Sequence, residues 1–109
     1  MTTAPEIVTR YLQAAEARDA KACADCFTED GTVLDEGTTF RGRDQIFDWR
    51  DALASKYTYT TTVTGSAPVS ADTYRVTVFL KGDFPGGEVS LNYGFTLRDG
   101  LIADLKIIE

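Results

Sequence analysis

The hydrophobic positions of this chain change their period once, near residue 57, and the change divides it into two halves. In the first half apolar side chains return every three or four positions. Ile7, Val8, Tyr11, Leu12 and Ala15 form one stripe, and Thr3 with Glu6 makes a T-x-x-E capping box ahead of it, so the spacing predicts an amphipathic helix from about Pro5 to Arg18. Asp19 can cap a second, shorter helix carrying Ala20, Cys23, Ala24 and Phe27 on one side, with Gly31 stopping the segment after Thr28-Glu29-Asp30. Residues 32–35 read as a short strand, and "EGTTFRG" as a loop or brief strand. From Arg43 to Ser55 the helical period returns, with Ile46, Phe47, Trp49 and Leu53 on an apolar side that only Arg50 interrupts.

Beyond Tyr57 the period is two. "YTYTTTVTG", Thr73 to Lys81, Glu88 to Leu97 and Leu101 to Ile108 are rich in β-branched and aromatic residues and read as strands. Gly65-Ser66, Pro85-Gly86-Gly87 and Asp99-Gly100 supply turns between them. Three N-terminal helices followed by long strands describe an α+β fold, with the helices packed on one face of a strongly curved antiparallel sheet that can enclose a pocket.

Length fits this picture, since 109 residues make one domain, residues 1–109, with a single core. A hydrophobic share of 43% and a charged share of 26% are ordinary globular values and exclude wholesale disorder. The net charge of -6 works against nucleic-acid binding, which needs a clustered Lys/Arg face. The same charge resists an acidic ligand at a distance and favours a neutral one. The N-terminal "MTTAPEIVTR" lacks a basic stretch followed by an apolar run, and no segment approaches the roughly 18 apolar residues of a membrane span. The expectation is a cytoplasmic chain with no membrane partner.

Cys23 and Cys26 form a C-x-x-C, a pattern used in redox and zinc sites. Here the pair falls inside a helical pattern rather than after a strand, and with no histidine and no second pair nothing completes a metal site. Small core thiols are the reading they fit, and no metal or organic cofactor is expected.

"RYLQAAEARD", "CFTEDGTVLD" and "FRGRDQI" together resemble the nuclear transport factor two-like superfamily, and within it the ketosteroid isomerase and SnoaL-like proteins, over essentially the whole chain. The resemblance implies a cone-shaped, curved, antiparallel or mixed sheet wrapped around the three helices, with an internal pocket for a small apolar ligand and a homodimer formed through the sheet. Ketosteroid isomerases carry a catalytic tyrosine on the first helix directly after an Arg, where this chain has Arg10-Tyr11, and a general-base aspartate at the end of the first short strand, where it has Asp35. They line the pocket with an aromatic residue three positions after the Ile of the third helix, where Trp49 stands. Their protonated late-strand acid falls near "LNYGF", where Asn92 and Tyr93 stand instead. Phe27 completes the expected wall. The late-strand Asp of SnoaL-like cyclases is absent from "VSLNYGFTL", as is the pair of acids bridged by Arg that limonene-epoxide hydrolases use.

The chemistry implied does not need histidine. A carboxylate in a partly apolar pocket can take the proton beside a carbonyl and return it to a neighbouring carbon, provided hydrogen-bond donors meet the enolate oxygen. Asp35 would be that base, Tyr11 the principal oxyanion donor and Tyr93 a second one. Strand alternation puts Asp35 on the face of Val33 and turns Glu36 away, so only one of the two acids looks inward. Two functions stay open: a proton-transfer enzyme, isomerase or cyclase-type lyase, acting on a neutral, largely apolar carbonyl compound, or a non-catalytic ligand-binding or dimerisation domain of the same fold.

Overall fold

A computed structural model describes residues 5–109. Three helices, α1 (Glu6–Glu16), α2 (Ala20–Asp25) and α3 (Gly42–Lys56), accompany six strands among the described residues: β1 (Phe27–Asp35), β2 (Thr38–Arg41), β3 (Tyr59–Pro68), β4 (Thr73–Gly82), β5 (Glu88–Arg98) and β6 (Leu101–Ile108). The first helix begins behind Pro5, whose fixed φ suits a helix start; Thr3 of the expected capping box lies outside the described residues. The helix stops at Glu16, two residues early, because Arg18 turns into the left-handed region at φ 60 and the Asp19 N–H folds back onto the Ala14 carbonyl. Asp19 caps α2 as expected, its Oδ1 accepting from the Ala22 N–H at 3.0 Å.

Residues 27–31 depart from the sequence reading. They open strand β1 rather than trailing from α2, because Phe27 pairs with Ile102 of β6 and the Ile102 N–H bonds the Cys26 carbonyl. Between Phe27 and Thr32 the pairing shifts register, and Gly31 sits in that bulge. A Cβ at Gly31 would lie 3.0 Å from the Cβ of Phe27, a contact so tight that its neighbours would have to shift by a few tenths of an ångström to admit one. "TTFR" is a true strand, joined to β1 by a two-residue Glu36-Gly37 turn with φ values of 52° and 77°, the geometry of a tight β-hairpin. Gly65-Ser66 is paired strand inside β3, directly after a bulge at Thr64, not a turn; the chain reverses after Pro68, where Val69 and Ser70 N–H groups bond the Thr73 carbonyl.

The sheet runs β2-β1-β6-β5-β4-β3, with β1 and β6 parallel and every other pair antiparallel. It is mixed and open, with β2 and β3 at its edges. The helices cover one face. Along β4, Tyr74, Val76, Val78 and Leu80 are buried beneath them, while Arg75, Thr77, Phe79 and Lys81 alternate onto the outer face. In α3 the inward side holds Ile46, Trp49 and Arg50; Phe47 lies outside it, 38% exposed. No helix among the described residues is long and apolar enough to cross a membrane.

Candidate functional site

Asp35 closes β1 on the helix-covered face, immediately before the Glu36-Gly37 turn, and is half-buried. Its Oδ2 accepts from the indole N–H of Trp49 at 3.0 Å. That bond explains why the strand finishes on an acid: the turn takes Glu36 and Gly37, and α3 supplies Asp35 with a donor fourteen residues away. Register carries the acid across the sheet, because Asp35 pairs with Ile107, Ile107 with Tyr93 and Tyr93 with Val76. Directly paired residues share a face, so Tyr93 looks to the helices two strands from Asp35, roughly 10 Å away at strand spacing. Asn92 lies on the other face of the sheet, bonded to the Thr77 hydroxyl at 2.8 Å. The expected choice between Asn92 and Tyr93 therefore resolves to Tyr93 for anything facing the helices.

Tyr11 is fully buried on α1, edge-on to Phe27 and Phe95 with ring centroids 5.8 Å away in both cases. Phe27 thus packs against Tyr11 at the start of β1. The Tyr11 hydroxyl has no hydrogen-bond partner among the described residues. A buried hydroxyl left in that state costs about 1–3 kcal/mol of desolvation.

Beside it lies a residue that the sequence marked only as a flaw in an apolar stripe. Arg50 is 5% exposed, its guanidinium carbon 5.0 Å from the Trp49 ring centre and 5.6 Å from that of Tyr11. One of its amines donates to the Tyr59 hydroxyl at 3.1 Å, while its Nε–H has no acceptor among the described residues. No Asp or Glu among the described residues pairs with it. Contacts thus run from Asp35 through Trp49 and Arg50 to Tyr11 and Tyr59.

Two openings flank this relay. A broad groove of about 520 Å³ is lined by Asp35, Glu36, Phe40, Asp48, Trp49 and Lys56, among others. A recess of about 10 Å³, bounded by Arg50, Arg18, Ala15, Ala54, Tyr57 and Tyr59, has space for one water-sized group. Tyr11 lines neither, and Phe27, Tyr93 and Asn92 do not line the groove. Of the expected site residues, Asp35 and Trp49 meet in the groove; Tyr11 and Phe27 meet in the packed interior, where Tyr93 lies edge-on to Phe95.

Burial pushes the Tyr11 phenol well above its ordinary value, with Arg50 pulling partly the other way. Burial likewise raises Tyr93, to about 12. Both are neutral donors at physiological pH. A raised folded-state value adds stability that is present below the free phenol's 10.0 and is lost as pH rises through about 12. In an absorbance titration, Tyr11→Phe and Tyr93→Phe are each expected to remove a late ionisation step. Arg50 stays charged: burial opposes the charge, while Tyr11, Tyr59, Tyr93 and Cys23 around it, once ionised at high pH, hold the guanidinium above its ordinary value. Cys26 donates its thiol to the Ala22 carbonyl at 3.3 Å and burial raises it to about 11, so it is an inert core thiol; burial raises Cys23 as well. Among the described residues no three His, Cys, Asp or Glu side chains gather closely enough to hold a metal ion.

The family model of the SnoaL-like domain matches residues 8–105. The chain belongs to the SnoaL-like family. This SnoaL-like protein is 35% identical to protein SMa1630 of Sinorhizobium meliloti, provisionally described as a polyketide cyclase; the match covers 94% of both chains with a TM-score of 0.89. It also resembles a Catenulispora acidiphila protein with a ketosteroid isomerase-like fold, solved with trimethylamine, at 24% identity over 98% of this chain and 87% of that one, TM-score 0.86. RV0760c from Mycobacterium tuberculosis, solved with estradiol-17beta-hemisuccinate, matches at 17% identity over 93% and 88% of the two chains, TM-score 0.78. No protein with a curated functional description matches the sequence. The fold is the cone of the nuclear transport factor two-like superfamily, with its sheet open.

Proposed function

We propose that this SnoaL-like protein is a small-molecule proton-transfer enzyme, an isomerase or cyclase-type lyase, acting on a carbonyl compound with a largely apolar body. Asp35 is the general base and Tyr11 the oxyanion donor, with Tyr93 as a second donor and Trp49 as wall. The observation that carries the reading is the Tyr11 hydroxyl, a buried donor without an acceptor beside a buried cation, as an enolate oxygen requires. Asp35 adds a carboxylate on the same face of the sheet, held by one indole N–H. The relative from Sinorhizobium meliloti, with its provisional cyclase description, and the steroid conjugate bound to the Mycobacterium tuberculosis protein agree with a cyclic, apolar substrate. To reach both groups, the substrate must take the place of Trp49 on Asp35 and enter against Tyr11.

Tyr11→Phe separates the two roles of that hydroxyl. It is expected to lower kcat by about 10²- to 10³-fold, yet to raise stability by about 1 kcal/mol, because a buried group with no partner is removed. Turnover measured beside a denaturant melt checks both.

The packed interior favours a second reading. Tyr11, Phe27 and Phe95 are fully buried against one another, and Asp35 and Tyr11 share no opening, as suits a domain that binds or dimerises without turnover. The outer sheet face, where Thr77, Phe79, Asn92 and Thr96 lie half-buried, is the surface we propose for a homodimer. Crystals soaked with cyclic enones and phenols decide between the readings. The enzyme reading expects a ligand oxygen within hydrogen-bond distance of Tyr11 and a ligand carbon against the Asp35 carboxylate. A ligand confined to the outer groove, with Tyr11 still enclosed, favours binding alone.

A further inference from the structure

Arg50 is a buried cation with no anionic partner among the described residues. Its surroundings supply partial compensation: the faces of Trp49 and Tyr11 and the hydroxyl of Tyr59. None of these carries a negative charge, and the Nε–H remains unmet. Charges are seldom buried this deeply without an ionised partner, since desolvation outweighs what neutral dipoles return.

The recess beside it extends the pattern. Of its six lining residues two are arginines, two are tyrosines and two are alanines, and none is acidic. Arg18 stands there with Arg50, its guanidinium bonded to the Ala54 carbonyl and the Thr58 hydroxyl. The groove on the other side of α3 is the electrostatic opposite, lined by Asp35, Glu36 and Asp48 against a single Lys56. In a chain of net charge -6, a recess with two cations and no acid is a local reversal of sign.

We propose that the recess binds the carboxylate of a small organic acid, with Arg50 as its anchor and the Tyr59 hydroxyl as a further donor. The planar guanidinium matches a carboxylate, and its idle Nε–H is the donor such a group would engage. The acidity of the whole chain favours a neutral ligand; the buried cation overrides that at short range, because charges interact more strongly where water is excluded. At about 10 Å³ the recess admits one water-sized group, so an organic acid enters by displacing Arg18 from its two acceptors.

Binding is measured apart from turnover. Benzoate, benzamide and benzyl alcohol are titrated into the intact protein by calorimetry at fixed ionic strength. The expected result is saturable binding of benzoate, with benzamide and benzyl alcohol weaker by about tenfold or more. Arg50→Met is expected to abolish that preference and Arg50→Lys to weaken benzoate by about tenfold, since an ammonium lacks the planar fork. Arg50→Lys keeps the charge and decides the matter if Arg50→Met fails to fold. Benzamide binding as tightly as benzoate, no benzoate binding at all, or benzoate affinity unchanged in Arg50→Lys overturns the anchor. Chloride competing away benzoate at equal concentration also overturns it, by showing a site for any anion. The anchor stands or falls on benzoate binding alone, whatever Asp35→Asn does to turnover, because the recess and the Asp35 groove share no lining residue.

Discussion

Asp35→Asn is expected to lower kcat by about 10²- to 10⁴-fold, the usual contribution of a positioned general base. The substitution is nearly isosteric and the Asn carbonyl oxygen can still accept the Trp49 indole N–H, so the bond that ties β1 to α3 survives. What is lost is the capacity to carry a proton. A change in kcat with an unaltered circular dichroism spectrum and melting point assigns the loss to chemistry. Retained turnover would assign Asp35 to the support of Trp49 and to the closing of the β1–β2 hairpin.

Phe95→Ala is expected to destabilise the fold by about 3–5 kcal/mol, the range for deleting a large buried aromatic side chain. Phe95 is fully buried at the centre of β5, edge-on to Tyr11 on one side and to Tyr93 on the other, and pairs with Leu105 and Tyr74 in the neighbouring strands. Its removal leaves a void between the two phenols. A domain of this size has about 5–15 kcal/mol of stability in all, so a denaturant melt should show a large fall in midpoint. A change below about 1 kcal/mol would mean that the interior between α1 and the sheet collapses freely, and that Tyr11 is not held in a defined position.

Much of this architecture is legible in the chain because its late strands obey one period without interruption. Tyr74 to Leu80 alternate in the sequence as they alternate in the sheet, and Asp99-Gly100 makes the tight turn its residues require. Residues 27–31 were not legible, because what makes them a strand is β6, more than seventy residues away, and a helical stripe ending on Phe27 looks the same whether or not that partner exists. Gly65-Ser66 misled for a related reason: glycine marks bulges as readily as turns, and only the partner strand distinguishes the two.

The site was legible in its residues and not in their grouping. Alternation alone assigns Asp35 to the inner face and separates Asn92 from Tyr93. Nothing local shows that the Trp49 indole reaches Asp35, or that Tyr11, Phe27 and Phe95 close upon one another and leave the first tyrosine outside both openings. Arg50 carried the one overlooked signal. A charge on the apolar side of an otherwise amphipathic helix is visible in the sequence, and its significance lies in the absence of a counter-charge, which only the fold can show.

Proton exchange in heavy water tests for a general base at Asp35 directly, and it works even while the natural substrate is unidentified. Cyclic enones and aromatic keto acids are incubated with the protein in D₂O, and loss of the proton beside the carbonyl is followed by NMR. Deuterium incorporation with the wild-type protein is expected to run well above that with Asp35→Asn. Equal rates for wild type, Asp35→Asn and buffer alone, with a compound shown to bind, would contradict a proton-transfer enzyme and leave a binding domain.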